Sequence, residues 1–310
     1  MTARDRGAGL LGVQSRLTDR DLTLLGWLSD HGVLTTDQIA AALFPSLDFA
    51  QRRLLKLLHA GLVARFRPQR PDGGSYPYHY VLDDLGIQVV AAQRSDDGAD
   101  PPRPDQARRR RWRLTNRTNL PHLLAVNQFF VDLAAHARTH PGTALERWWP
   151  SARCRRQGAF SHLDPGTSTT FFFLTLAPDG HGVWTTPDGR GGQRRTAFFV
   201  EVDLGTEDIP RLADKIPAYQ SWTHTTGRCW PVLFWLTSTT RETNLHRRLS
   251  ERPADITIAT AVRHPDLPDA GPAGPVWWPC PHPARPAHPD RPAGRVHLAD
   301  LHATYPPPPA

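Results

Sequence analysis

Residues 197–207 read AFFVEVDLGTE. An apolar run leads into Glu201, Val202 and Asp203, then a glycine and a third acid, Glu207. Side chains alternate faces along a β-strand, so Glu201 and Asp203 should point the same way from the end of a strand that otherwise reads as buried. Two carboxylates on one buried face are costly unless a cation or a proton compensates them. Asp179 sits in the turn Pro178-Asp179-Gly180, at the end of the apolar stretch TTFFFLTLA, and Lys215 is one of two lysines in the chain, with Lys56.

The elements that must position these groups follow from periodicity. Residues 119–140 form an amphipathic helix with Leu123, Val126, Phe130, Leu133 and Ala137 on one face. ALERWWPS is a short strand, 169–184 a strand that runs into Asp179, and RRTAFFVEVDLGTE the next strand. EDIPRLADKIPAYQSWTHT reads as a single helix carrying Lys215, CWPVLFWLTST as a buried strand, TRETNLHRRLSE as a helix and DITIATAV as a last strand. The order α-β-β-β-α-β-α-β is that of an α/β layer with a mixed sheet. Thr206 could also cap the helix after the acidic strand, with Glu207 and Asp208 in its first turn. Lys215 could equally be a surface residue of that helix. Pro187-Asp188, beside GRGG, reads as a hairpin tip.

Upstream, Thr18 caps a helix with Leu22, Leu25 and Leu28 at helical spacing, and His31-Gly32 ends it. TTDQIAAALFP starts a second helix at a Thr cap, and SLDFAQRRLLKLLHAG is a third. Two short strands around RPDGGS and a closing helix DDLGIQVVAA complete the segment. Three helices and a β-hairpin describe a winged helix-turn-helix, whose third helix enters the major groove while the hairpin touches the backbone. Between residues 51 and 70 lie six basic residues (Arg52, Arg53, Lys56, Arg65, Arg67, Arg70) and no acid, although 1–92 as a whole has ten Lys/Arg against nine Asp/Glu. Segregated charge favours DNA over a protein partner, and Gln51, Arg52, Arg53, Lys56, Arg65 and Arg67 are the expected DNA contacts. The run RRRRWRLTNR (108–117) adds Arg109, Arg110 and Arg111 for phosphates, beside Trp112.

With the motifs in hand, the chain resembles the actinobacterial replication-relaxation family: a winged helix followed by a PD-(D/E)xK nuclease-like domain. The resemblance covers 17–92 and about 120–262. It is carried by Pro178-Asp179, FFVEVDLGTE (198–207), Lys215 and Tyr219. It implies a mobile-element protein of plasmid replication, DNA relaxation or transfer. Metal-dependent phosphodiester cleavage suits the fold, because a divalent cation polarises the phosphate and generates hydroxide near neutral pH. Mg²⁺, which prefers one or two carboxylates plus water, or Mn²⁺, would be held by Asp179, Glu201 and Asp203, with Lys215 on the phosphate or the attacking water. The nuclease pattern has a lysine where this chain has Asp203. Cutting or merely holding DNA therefore turns on Asp203 and Lys215. A non-catalytic accessory factor or repressor is the alternative.

The implied organisation is a disordered 1–16, the winged helix 17–92, a basic linker 93–118, the nuclease-like domain 119–262 and a disordered Pro-rich tail 263–310. Net charge is +7 and three cysteines lie far apart, which fits a polyanion partner and a reducing, cytoplasmic, nucleoid- or plasmid-associated setting. Double-stranded DNA is the expected partner, with replication or relaxosome proteins and a second copy of the chain as further candidates. No P-loop, signal peptide or membrane span is read, so no membrane partner is expected.

Overall fold

The computed structural model describes residues 15–69, 73–94, 113–114, 118–160, 176–264, 271–283 and 294–301. The chain divides into two compact units, Met1–Val131 and Asp132–Ala310. Arg109, Arg110 and Arg111 lie outside the described residues, as do Arg70 and the first part of the strand expected from 169.

The first unit begins with α1 (Asp19–His31), capped by a reciprocal box. The Thr18 hydroxyl accepts from the Asp21 N–H at 3.3 Å, and the Asp21 carboxylate accepts from the Thr18 N–H at 2.8 Å. The same device, Thr35 with Gln38, opens α2 (Thr36–Leu43), and Ser46 caps α3 (Leu47–His59). Strands β2 (Val63–Phe66) and β3 (His79–Leu82) form an antiparallel hairpin. A third strand, β1 (Leu34–Thr35), joins β3, with Leu34 opposite Tyr80. Two residues show no alternation to read, so only the capping role of Thr35 was legible. Helix α4 (Asp84–Gln93) closes the segment. Leu24, Leu25, Leu28, Ile39, Leu54, Leu57 and Val63 are buried between these elements. The first half of α5 (Leu120–Thr139) also belongs here. Asn127 donates to the Val33 carbonyl at 2.8 Å and Gln38 to the Leu124 carbonyl at 3.0 Å, so the expected boundary in 93–118 is crossed by polar ties.

The second unit is built on a mixed six-stranded sheet of order β4-β5-β6-β7-β8-β9. Its strands are β4 (Ala144–Pro150), followed by the single turn α6 (Ser151–Cys154), then β5 (Gly180–Pro187) and β6 (Gln193–Val202). Helices α7 (Ile209–Ala213) and α8 (Ile216–Thr226) precede β7 (Val232–Leu236), α9 (Thr239–Glu251) precedes β8 (Ile258–Val262), and β9 (Trp278–Pro279) is last. β4, β5 and β6 pair antiparallel, β6, β7 and β8 parallel, and β9 antiparallel to β8. At Gly182 a Cβ would lie 2.3 Å from the Phe198 ring, so only glycine lets that ring lie across β5.

Three expectations change. The expected single helix 207–225 is two helices, broken at Asp214-Lys215. Pro217 follows, and its ring cannot continue an upstream helix, so it starts a new one. Asp208, accepting from the Arg211 N–H at 3.3 Å, is the cap of α7 in place of Thr206. Third, described parts of the Pro-rich tail are folded. β9 pairs with β8, Trp277 and Val296 bridge, and Trp277, Leu298 and Leu301 are fully buried. Large apolar side chains between the prolines, invisible to a composition-based reading, dock the segment. Among the described residues no helix is long and apolar enough to cross a membrane.

Candidate functional site

The acidic pair sits where the parallel strands end. In register, Trp149, His181 and Phe199 share one row of the sheet, so Phe199, Glu201 and Asp203 share a face by alternation. That face carries α7, α8 and α9, whose Leu212, Tyr219, Trp222, Leu245 and Leu249 pack with Phe199 and Phe234 in one core cluster. Both acids are buried, Glu201 to 3% exposure and Asp203 to 4%.

Each carboxylate has its own cation. The Lys215 ammonium donates to Glu201 Oε2 at 2.8 Å, and the buried Tyr219 hydroxyl donates to Oε1. Lys215 reaches this position because the proline break puts it at the cap of α8. Its Nζ also stands 3.3 Å from Glu207 Oε2, an ion pair without a hydrogen bond. Asp203 is gripped by Arg241, at the start of α9, through Nε to Oδ2 at 2.5 Å and Nη2 to Oδ1 at 3.0 Å. Nη2 also donates to the Glu207 carbonyl at 2.6 Å. Gly205 turns the chain with φ +83° and donates its N–H to Asp203 Oδ1 at 3.0 Å. Asp179 stands just before β5, not at the end of a preceding strand, and Oδ2 accepts the Val202 N–H at 2.9 Å. The hairpin tip at Asp188 is as expected: Oδ1 accepts from the N–H groups of Arg190 and Gly192.

Electrostatics follow from this packing. Burial, then the Asp179 charge, push Glu201 up to about 7 against the pull of Lys215 and Tyr219. Burial works against the Lys215 charge, but Glu201, Asp179 and Glu207 outweigh it and leave its pKa raised. Tyr219 is raised well above its ordinary value by burial and by Glu201. Glu201 therefore takes up a proton more readily than an exposed carboxylate, while Lys215 holds its charge.

A Mg²⁺ site demands free carboxylate oxygens. Here both oxygens of Glu201 and both of Asp203 are taken by side-chain donors. Among the described residues no group of three His, Cys, Asp or Glu side chains is placed to hold a metal ion. The donor set as arranged does not fit a three-carboxylate metal site.

The expected DNA contacts of the first unit separate into two kinds. Arg53 is tied to Asp21, which is 1% exposed: Nε donates to Oδ1 at 2.8 Å and Nη2 to Oδ2. Burial alone would raise Asp21, but Arg53 and Thr18 outweigh it and hold its carboxyl below the usual range. Arg53 thus fastens α3 to α1. Gln51, Arg52 and Lys56 are exposed on the rest of α3, with Arg52 paired to Asp48 at 2.5 Å one turn back and its guanidinium 4.8 Å from the Phe49 ring. On the hairpin, Arg65 and Arg67 both lie over the Tyr78 ring, at 3.9 and 4.9 Å, and are exposed.

Sequence reasoning missed Arg241. Its signal was topological: parallel strands β6 and β7 end side by side, so the segment after β7 must lie beside Asp203–Glu207. It also missed an arginine group at the β4 edge, described below.

The family model described as Replication-relaxation matches residues 25–234. No curated protein and no solved structure matches the chain.

Proposed function

Because the chain belongs to the replication-relaxation family, we propose that it is a DNA-binding factor in plasmid replication or relaxation, gripping duplex DNA through a winged helix in its first unit. The observation that carries this is a set of exposed donors on two elements of the unit, Gln51, Arg52 and Lys56 on α3 and Arg65 and Arg67 on the hairpin. A capped helix with exposed donors suits a major groove, and the exposed guanidinia of Arg65 and Arg67, held over Tyr78, suit phosphates. In this reading the second unit is a nuclease-like platform that does not cut, its acids neutralised by Lys215 and Arg241.

One observation favours a second reading, a Mg²⁺- or Mn²⁺-dependent nickase: Asp179 accepts the Val202 N–H at 2.9 Å, which holds its carboxylate at the end of β6 that carries Glu201. It requires Glu201 to release Lys215 and Tyr219, and Asp203 to release Arg241. The non-cutting reading requires no rearrangement.

The test is a duplex-binding titration with a parallel plasmid assay. Gln51→Ala with Lys56→Ala should weaken duplex binding at least tenfold without lowering the melting temperature. Supercoiled plasmid with Mg²⁺ or Mn²⁺ should stay supercoiled. Nicking that vanishes in Glu201→Ala overturns the non-cutting reading, and unchanged binding in the α3 variant overturns the winged-helix reading.

A further inference from the structure

The other end of the same sheet face carries the opposite charge. β4 is an edge strand, and by alternation Arg147 shares the face of Trp149. The register shifts between Leu145 and Arg147, and this irregularity brings Glu146 to the same side, where its Oε1 accepts from the Thr185 hydroxyl at 2.6 Å and its Oε2 from Arg195 at 2.7 Å. Arg147 and Arg153 both lie over the Trp149 ring, at 4.8 and 4.4 Å. Arg228 donates to the Phe160 carbonyl at 3.0 Å, and the Phe160 ring lies 5.5 Å from Trp149. Burial and then the charges of Arg195, Arg153 and Arg228 depress the Arg147 pKa, more than Glu146 offsets, so these guanidinia repel one another.

Among the described residues, Arg147, Arg153 and Arg195 thus share the one carboxylate of Glu146. Like charges assembled this closely are unfavourable for the isolated fold. The Trp149 ring holds the Arg147 and Arg153 guanidinia beside each other, and guanidinia are the side chains that recognise phosphate in a bidentate manner. A membrane surface would need apolar anchors. Among the described residues the exposed large apolar side chains are Leu47, Phe49, Leu55 and Tyr76, all in the first unit.

We propose that Arg147, Arg153 and Arg195 around Trp149 form a second DNA-contact surface, on the second unit, that holds the phosphate backbone of duplex DNA independently of α3. Its contacts are to phosphate and not to base edges, so it adds affinity without sequence preference. A protein that grips DNA at two places resists sliding and rotation of the duplex between them.

The experiment is a salt titration of duplex binding by the full chain, comparing Arg147→Gln/Arg153→Gln with Gln51→Ala/Lys56→Ala. Two lost phosphate contacts should reduce the slope of log K against log salt by about 2, equally for unrelated sequences. Exposed Arg153→Gln alone, whose folding is not in question, should reduce it by about 1. A curve superposing on wild type for both arginine variants, while the α3 variant weakens, overturns this surface and leaves the winged-helix reading standing. The reverse pattern overturns the winged-helix reading alone. No duplex binding by the wild type overturns both. Loss of poly-glutamate binding in the arginine variants with duplex binding intact overturns the proposal in favour of an acidic protein partner.

Discussion

At the C-terminal end of β6 each buried acid meets a cation delivered by a helix: Glu201 meets Lys215, and Asp203 meets Arg241. At the β4 edge, on the same face of the sheet, Arg147 and Arg153 lie over Trp149 beside Arg195, and among the described residues Glu146 is the acid they share. The first set is closed, its charges cancelled inside the fold. The second is open, and in the DNA-contact reading its counter-charge is the phosphate backbone. Burial separates them: acids at 3–4% exposure cannot persist unpaired, whereas Arg195, with a 62% exposed side chain, can rely on water. An acidic cluster draws attention in a sequence as a site, yet here it is the part of the charge pattern that the fold has already answered.

The largest effect should come from breaking the closed set. Glu201→Ala removes the acceptor of the buried Tyr219 hydroxyl and leaves the Lys215 ammonium with Glu207 alone. Loss of one partner of such a group costs about 3 kcal/mol. Urea unfolding should show a midpoint shift of that size, while Arg153→Gln stays within about 0.5 kcal/mol of wild type. A Glu201→Ala protein as stable as wild type would mean that the acids are not held by their cations. The first unit repeats the contrast on a single helix. Arg53→Ala removes the cation from Asp21, leaves Thr18 as its partner, and should cost about 2 to 3 kcal/mol, whereas Lys56→Ala, one turn on and exposed, should leave stability unchanged and weaken only duplex binding.

Two buried titratable groups give the next effect, and they act in opposite directions. His181 is fully buried among Trp149, Phe160, Phe199 and Trp230, its Nδ1 against the Phe198 carbonyl at 2.9 Å. Burial, then the Arg147 charge, push it down to about 3. The unfolded imidazole takes up a proton near 6.5, so the unfolded state binds more protons below that pH. The His181 contribution is therefore full above 6.5 and is lost as pH falls, at up to about 1.4 kcal/mol per unit, or about 2 kcal/mol by pH 5. Glu201 works the other way. Its folded value of about 7 lies above the ordinary 4.5, so its contribution is full below 4.5 and is lost as pH rises through 7. The two slopes oppose each other between pH 4.5 and 6.5, so these groups should leave stability nearly level there, with a fall on either side. In His181→Phe the acid-side fall should shrink, and in Glu201→Gln the fall toward pH 7 should vanish. Unchanged pH profiles in both variants would remove these groups from the balance.

How far the sequence could be read follows the same division between local and distant causes. The capping boxes at Thr18 and Thr35, the Gly32 helix end and the apolar strands β6 and β7 rest on residues within one turn or one alternation, and they were legible. The shared face of Glu201 and Asp203 was legible for the same reason. Their partners were less so. Lys215 could be placed near Glu201 only because its spacing was short, and the proline that puts it there was read as part of one helix. Arg241 lies 38 residues from Asp203, and the Arg295–Glu242 pair spans 53 residues; no periodicity encodes either. Arg147, Arg153, Arg195 and Arg228 are scattered over some eighty positions and meet only through the β4-β5-β6 register.

The smallest effect on stability tests whether opening a partly closed pair improves binding. On α3, Asp48 and Arg52 form an i,i+4 pair with both side chains well exposed, at 72% and 63%. Such pairs contribute about 0.3 to 0.5 kcal/mol, so Asp48→Ala should barely move the unfolding midpoint. It removes the one carboxylate among the exposed donors of that helix and frees the Arg52 guanidinium. If α3 lies against a polyanion, duplex affinity should rise several-fold and its salt dependence should steepen by up to about 1 in slope. Unchanged or weaker duplex binding would mean that Asp48 positions Arg52 for its contact, and the pair would then belong with Arg53 among the closed charges of the fold.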